Sequence, residues 1–243
     1  MKKILISAFL LLGSFSMASA ELGVKVGLSG NMGVFTAVGS ESENGTIRRS
    51  NGVEKGEMLG AMGSVFGELN LGFLPGPSAL FSRISLGYDH VVHEIKTGTQ
   101  SNVRCAGLNN SAQCGDLQGK TRGNHIVTPA TKSVSATIDN INTMYVLVNV
   151  TDWLYVRGGT IEADITTTED LDTGSAYGNM NISGDVYGAG VHFRNDAGFF
   201  MRAEYNTTSL DGGTLTSTTN ADNSVTLDGI DGDTARISVG KSF

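Results

Sequence analysis

From Leu22 onward, apolar residues return at every second position, in runs long enough to cross a membrane as tilted strands. The first run is ELGVKVGLSGNMGVF. Leu22, Val24, Val26, Leu28, Met32 and Val34 share one parity, while Glu21, Lys25, Ser29 and Asn31 take the other. Because successive strand side chains point to opposite faces, this pattern makes one apolar face and one polar face. Helical periodicity is hard to find after residue 20, and no later stretch holds ~18 unbroken apolar residues, so spanning helices are excluded.

The same alternation recurs down the chain. Strands are expected at Glu21–Ala37, Glu57–Phe73, Leu80–Lys96, Val134–Val150, Trp153–Thr166 and Asn181–Arg194, then from Phe199, with a last strand ending at Phe243. LPGPSA, Thr151-Asp152 and Asn195–Gly198 are short connections. Between them lie long polar ones, such as GSESENGTIRRSNGVEKG, TTEDLDTGSAYG and TSTTNADNSVTLDGID. Long and short connections alternate, which places all short turns at one end of an antiparallel barrel. The count is eight, or ten if the region around Cys105 hides a hairpin.

Alternation alone does not say which face is outside. A soluble barrel would turn the apolar face inward and leave charges in water. Three features favour lipid outside: Tyr88, Trp153, Tyr205 and Phe243 near strand ends, a glycine-rich polar face, and the terminal aromatic. Glycine is abundant (33) and proline scarce (3), which suits tightly curved strands rather than a disordered tail. The apolar rows are expected to span about nine to eleven residues, the length of a tilted membrane strand. Two segments leave their phase open. In TMYVLVNV, either Met144, Val146 and Val148 or Tyr145 and Leu147 could face lipid. In WLYVRGGTIEADI, Arg157 opposes Glu162 and Asp164 in parity. A bulge at Gly158-Gly159 would reconcile them, as would a position beyond the hydrocarbon.

MKKILISAFLLLGSFSMASA, residues 1–20, reads as a secretory signal. It has a basic start, a short apolar run and small residues before Glu21. Residues 21–243 then form the barrel. The formal charge of −7 becomes −9 without Lys2 and Lys3 (−7 − 2), which argues against nucleic acid as a partner. Cys105 and Cys114 are expected to pair in an oxidising compartment. That staple would add up to roughly 2.5–3 kcal/mol in the chain-entropy view.

With these features and the ending ARISVGKSF, the chain resembles small outer-membrane β-barrels of the OmpA/OmpX/opacity-protein type. Segments GSAYGN and NADNSVTLDGIDG also resemble parts of barrel proteins from marine alphaproteobacteria. The resemblance implies the outer membrane of a Gram-negative bacterium. Outer-membrane lipid, lipopolysaccharide and the barrel-assembly machinery become the expected partners, with Phe243 as the C-terminal assembly signal. A monomer is expected.

Mid-strand charges are the candidate functional residues. Lys25, Glu68, Arg83, Asp89, Arg157, Arg202, Glu204 and Arg236 are expected to form a lumen network, since buried charge must be paired. His90 and His93 lie three apart and so face opposite sides of a strand. Asp89 and His93 are expected on the lumen face near the outer rim, where a lipid-modifying enzyme would need them, but no distinctive serine motif accompanies them. His125 and His192 have no evident partner. Asp228, Asp231 and Asp233 in LDGIDGD lack EF-hand spacing and read as turn formers, so no metal, cofactor or catalytic residue is expected. Three functions remain: a non-enzymatic structural or surface-interacting barrel, a small porin-like channel, or a rim-located lipid-modifying enzyme.

Overall fold

The computed structural model describes residues 23–43, 46–47, 54–74, 78–97, 99–105, 121–122, 125–126, 129–170 and 176–243. The expected signal segment lies outside the described residues, as does the Cys105–Cys114 pairing, because Cys114 does.

The strands are β1 Val24–Glu43, β2 Thr46–Ile47, β3 Glu54–Asn70, β4 Ile84–Val91, β5 Ile95–Lys96, β6 Gln100–Cys105, β7 Thr121–Arg122, β8 His125–Ile126, β9 Pro129–Asn149, β10 Leu154–Asp170, β11 Met180–Arg194, β12 Phe199–Thr216 and β13 Ser224–Ser242. Antiparallel pairing runs β10-β11-β12-β13-β1-β3-β4-β9 and closes through β9 with β10. β4, β5 and β6 all pair with β9 and together form one interrupted stave. The barrel therefore has eight staves, and β7 and β8 pair antiparallel as a separate two-stranded sheet.

Outward-pointing residues form an apolar wall. Met32, Leu59, Met144, Phe193, Phe199, Met201, Tyr205 and Ile237 are all more than half exposed. Exposed Tyr88, Tyr187 and Tyr205 stand part-way up this wall, and exposed Phe73, Trp153, Phe193 and Phe199 stand at its short-turn end. Inward neighbours of the same strands are buried and polar: Ser64, Asp89, Thr143, Arg157, Arg202, Glu204, Asn206, Arg236 and Ser238. An apolar wall around a buried polar interior suits hydrocarbon outside, so this is a transmembrane barrel.

The open phases are now decided. Tyr145 and Leu147 point inward and are buried, while Met144 and Val146 are exposed on the wall. β10 keeps unbroken register with β11 from Leu154 to Ile165, so Gly158-Gly159 holds no bulge. Arg157 points into the lumen, and Glu162 and Asp164 point outward above the level of Tyr187, which pairs with Gly158. A bulge does occur, on β9, where the register with β10 shifts opposite Glu162–Asp164 and Asn140 adopts φ 48. It flips β9's parity, so Ile138 below the shift in sequence and Ile141 above it both pack inside.

Several expected boundaries move. The second strand stops at Asn70 rather than Phe73. Asn70 caps a short 3₁₀ turn, accepting from Gly72 N at 3.0 Å and donating to Ser82 O at 2.8 Å. After it comes a one-turn helix, α1, Ser78–Phe81, so the next strand begins at Ile84 rather than Leu80. On the β11–β12 side the outward apolar row is shorter than nine residues: beyond Tyr205 the outward positions are Thr207, Ser209 and Asp211. LDGIDGD is not a turn but lies within β13, because its residues continue the register with β1 and β12, with Gly229 at φ 156 at the irregularity.

Strands also run well past the wall, because their pattern inverts there. Ile161, Ala163, Ile165, Ile182, Leu210 and Ile230 point inward, while Glu162, Asp185, Asp211 and Asp231 are outward. In water the apolar face must turn inward, so the upper barrel is built like a soluble one.

Candidate functional site

The lumen holds two stacked layers. In the lower layer Glu68 on β3 is the hub, with a fully buried side chain. Arg202 on β12 grips both carboxylate oxygens: Nη2 donates to Oε2 at 2.8 Å and Nη1 donates to Oε1. The Tyr145 hydroxyl donates to Oε1 at 3.0 Å, and Lys25 Nζ stands 3.6 Å from Oε2. A bidentate guanidinium fork is the strongest way to pair a carboxylate, and a buried carboxylate requires it.

Asp89 on β4 forms a second node. Its Oδ2 accepts from Arg236 Nη2 and from Ser64 Oγ at 3.1 Å, and Arg236 Nε donates to Ser238 Oγ at 3.2 Å. The third node is Arg157 and Glu204, 3.1 Å apart. There Arg157 Nε directs its hydrogen at Asn206 Oδ1, also 3.1 Å away, so the pair is an ion contact rather than a hydrogen bond. Aromatic faces complete the layer: Arg202 lies 4.7 Å from the Phe200 ring centre and 5.3 Å from that of Tyr155, and Arg157 lies 4.7 Å from that of Tyr145.

Arg83, expected among these groups, stands elsewhere. It lies in the turn before β4, exposed, and donates to Val150 O at 2.9 Å across the short-turn end. Because the connecting helix displaces the strand start to Ile84, Arg83 has no inward position to take. The remaining groups are four cations (Lys25, Arg157, Arg202, Arg236) against three carboxylates (Glu68, Asp89, Glu204). Lys25, the surplus one, reaches the mouth with 15% side-chain exposure.

Glycine makes this layer possible. A Cβ at Gly87 would collide with the Tyr145 ring, and one at Gly27 with the Phe66 ring. The glycine-rich polar face thus leaves room for inward aromatics from neighbouring strands.

Above lies the apolar layer of Val91, Ile141, Ala163, Ile165, Ile182, Leu210 and Ile230, with Phe35, Met62, Ile95, Ile138 and Met180 packed against it. No sequence pattern suggested it, because each strand contributes only one to three residues. The inversion of parity meaning at the wall's upper edge (Ile161 against Glu162, Leu210 against Asp211) was the available signal.

Asp89 and His93 do not come together. Asp89 is buried with Arg236, whereas the chain kinks at Val92–Glu94 and carries His93 to the surface. β3 pairs with β4 only over Ser64–Asn70. Just above, Val92 N donates to Gly63 O at 3.1 Å, and Gly63 N donates to His93 Nε2 at 2.9 Å. His93 thus substitutes for a strand partner where the ladder ends. His90 faces the outer wall, sharing Asn142 Oδ1 (2.8 Å) with the Tyr88 hydroxyl (2.7 Å). The His192 ring stacks on Tyr155 at 6.0 Å between centres.

Outside the wall, Asp164 accepts from Asn140 Nδ2 at 2.7 Å and Asn181 Nδ2 at 2.9 Å. These two bonds, Asn181's first, hold its carboxyl below the usual carboxylate range. Asp231, in the former turn candidate, accepts from Ser209 Oγ at 2.8 Å. Among the described residues no group of three or more His, Cys, Asp or Glu is arranged to hold a metal.

No family model matches the chain. No curated protein matches it either. Among solved structures it is similar to OprG, an outer membrane protein of Pseudomonas aeruginosa, at 12% identity and TM-score 0.43, over 92% of this chain and 99% of that one. It is also similar to Ail, the attachment invasion locus protein of Yersinia pestis, at 11% identity and TM-score 0.34, over 89% and 99%. A third is the outer membrane protease OmpT of Escherichia coli, at 8% identity and TM-score 0.40, over 94% and 99%. The resemblance to marine alphaproteobacterial barrels finds no support among them. At such identities, what this chain does must be argued from its own residues.

Proposed function

We propose that the chain is a non-conducting, non-enzymatic barrel of a Gram-negative outer membrane, with a structural or surface-interacting role. The observation that carries this is the double closure of the lumen. Glu68, Arg202 and Tyr145 interlock across the lower layer, and Ile182, Ala163 and Leu210 fill the upper one, all inaccessible or nearly so to water. An eight-stave barrel is just wide enough for side chains to fill, and here charged groups and apolar groups fill it in turn. An ion entering would have to break paired charges and then cross a dry layer, each step costly.

The separation of His93 from Asp89 supports the non-enzymatic reading, since a general base needs its partners within hydrogen-bond reach. The proposal includes removal of residues 1–20 on export, a Cys105–Cys114 staple, and insertion as a monomer by the barrel-assembly machinery using Phe243. In the fold, Phe243 N donates to Val24 O at 2.9 Å, so the terminal residue helps seal β13 against β1. Surface-interacting partners would meet the extended upper barrel, whose outward residues are polar and acidic.

Planar-bilayer recording tests the reading. The refolded protein should give no stable ohmic steps, whereas reproducible conductance steps would refute the closed lumen and favour the porin-like alternative.

A further inference from the structure

Strand register makes the apolar wall an uneven band. Stepping from Val24 across paired residues, the path runs through Leu69, Leu86, Val146, Gly158, Tyr187, Thr207 and Asp233 and returns to β1 at Val34. One circuit of the eight staves therefore climbs ten residues (34 − 24 = 10). Each step gains about 1.25 residues, and at the usual rise and tilt of barrel strands one residue is about 2.5 Å of height. Measured up from Val24, the outward apolar rows end at about 14 Å at Met144 and Tyr205 and about 16 Å at Tyr187. Outward carboxylates follow at about 21–22 Å, at Asp185, Glu162 and Asp233. On β1 and β3 the apolar row continues through Met32, Val34 and Ala61 to Leu59 at about 28 Å, and the first outward carboxylate of β3, Glu57, stands at about 33 Å. Leu59 is 72% exposed. The lower ends of the rows, by contrast, lie within about 5 Å of one another, from Val24 and Leu69 round to Val148, Phe193 and Phe199.

We propose that hydrocarbon climbs to Leu59 along β1 and β3 but stops about 10 Å lower along β10–β12, so that the barrel thins the membrane on one side. This rests on the membrane placement argued above. Inside, the two sides match: Phe35 and Met62 pack on the upper apolar layer, as do Ile161 and Leu210. The outer faces differ. Beside Ile161 and Leu210 stand Glu162 and Asp211, which suit water, whereas β1 and β3 are apolar on both faces at that height. Membrane lipid is the occupant of the tall face because that face continues the lipid-facing wall: no polar side chain interrupts the outward row from Val24 to Val34 or from Leu69 to Leu59. A level bilayer would leave Leu59 in water or draw Asp185 and Asp233 into hydrocarbon, where charge is disfavoured. A bilayer adapts its thickness to a mismatched apolar surface at modest cost, whereas a closed barrel cannot move its residues between levels.

Nitroxide labels on outward cysteines test it, in the full chain carrying Cys105→Ser and Cys114→Ser and folded into dioleoylphosphatidylcholine vesicles. Ala61 on β3 and Ser209 on β12 are both exposed and stand at nearly equal height, about 23–24 Å. The depth parameter, the logarithm of the ratio of oxygen to nickel-chelate collisions, should be positive for Ala61→Cys and negative for Ser209→Cys. Leu59→Cys and Asp211→Cys, at about 28–29 Å, repeat the comparison should either member of the first pair fail to fold. Near the lower end, Leu69→Cys and Met201→Cys should both be positive and similar in size. Equal values at Ala61 and Ser209, whether both wet or both in lipid, overturn the uneven band. A divergent lower pair also overturns it, by showing a tilted barrel in a bilayer of even thickness. A negative value for Ile237→Cys, in mid-wall, would instead overturn the membrane placement itself, and the one-sided thinning with it.

Discussion

Replacing Arg202 with Leu removes the fork on Glu68. Glu68 then keeps only the Tyr145 hydroxyl at 3.0 Å and Lys25 at 3.6 Å. Its side chain is fully buried, so the uncompensated charge has no route to water. Breaking one partner from a buried pair costs about 3–5 kcal/mol. Lys25 offsets part of this, but the cation–π contacts of Arg202 with Phe66, Tyr155 and Phe200 disappear as well, each worth roughly 0.5–2 kcal/mol. A net loss of at least about 3 kcal/mol is expected. Adding Glu68→Leu to the Arg202→Leu variant removes the stranded charge, and apolar replacement of a buried pair is often close to neutral. The double variant should therefore be more stable than Arg202→Leu alone. Equilibrium urea unfolding in micelles, followed by Trp153 fluorescence, measures both, and the temperature at which the folded band disappears in detergent gels gives an independent reading. A loss below about 0.5 kcal/mol for Arg202→Leu, or strictly additive losses in the double variant, would refute the interlocked layer.

Gly87→Ala should destabilise by about 1–3 kcal/mol, because its Cβ meets the Tyr145 ring; adding Tyr145→Ala should relieve the clash in the same urea titration. His93→Ala should speed hydrogen exchange at the Gly63 amide while leaving Val65 and Gly67 unchanged, since only the Gly63 N–H depends on the imidazole. Replacing Asn140 with Val should cost about 1–2 kcal/mol, as φ 48 places a β-branched side chain in the left-handed region. The Asp164 bonds are lost only when pH falls through its depressed folded value; NMR of the Asn140 and Asn181 side-chain amides should show both contacts intact at neutral pH and above, then released together in acid below the usual carboxylate range.

Much of the fold is legible without coordinates because period-two alternation is a local property. Each residue's parity is set by the pleat, and a membrane rewards one parity everywhere along the wall. Hence Val24–Val34, Leu59–Leu69 and Phe199–Tyr205 declare their faces in the chain itself, and the inward charges Glu68, Asp89, Arg202 and Arg236 follow. Partner choice is different. That Glu68 takes Arg202 and not Arg236 depends on the register around the barrel, which brings residues 134 positions apart into contact. Arg83 shows the limit of parity alone, since a one-turn helix shifted its strand's start. Asn140 shows another, because a single bulged residue exchanges the two faces of β9. The sequence determined that a two-faced cylinder forms, and its strand-end aromatics and glycine-rich polar face, rather than the alternation, pointed to lipid outside and charges within. Only the closed tertiary structure decided which charges meet, and that an apolar layer caps them, because pairing across a barrel is fixed by stagger between strands distant in sequence.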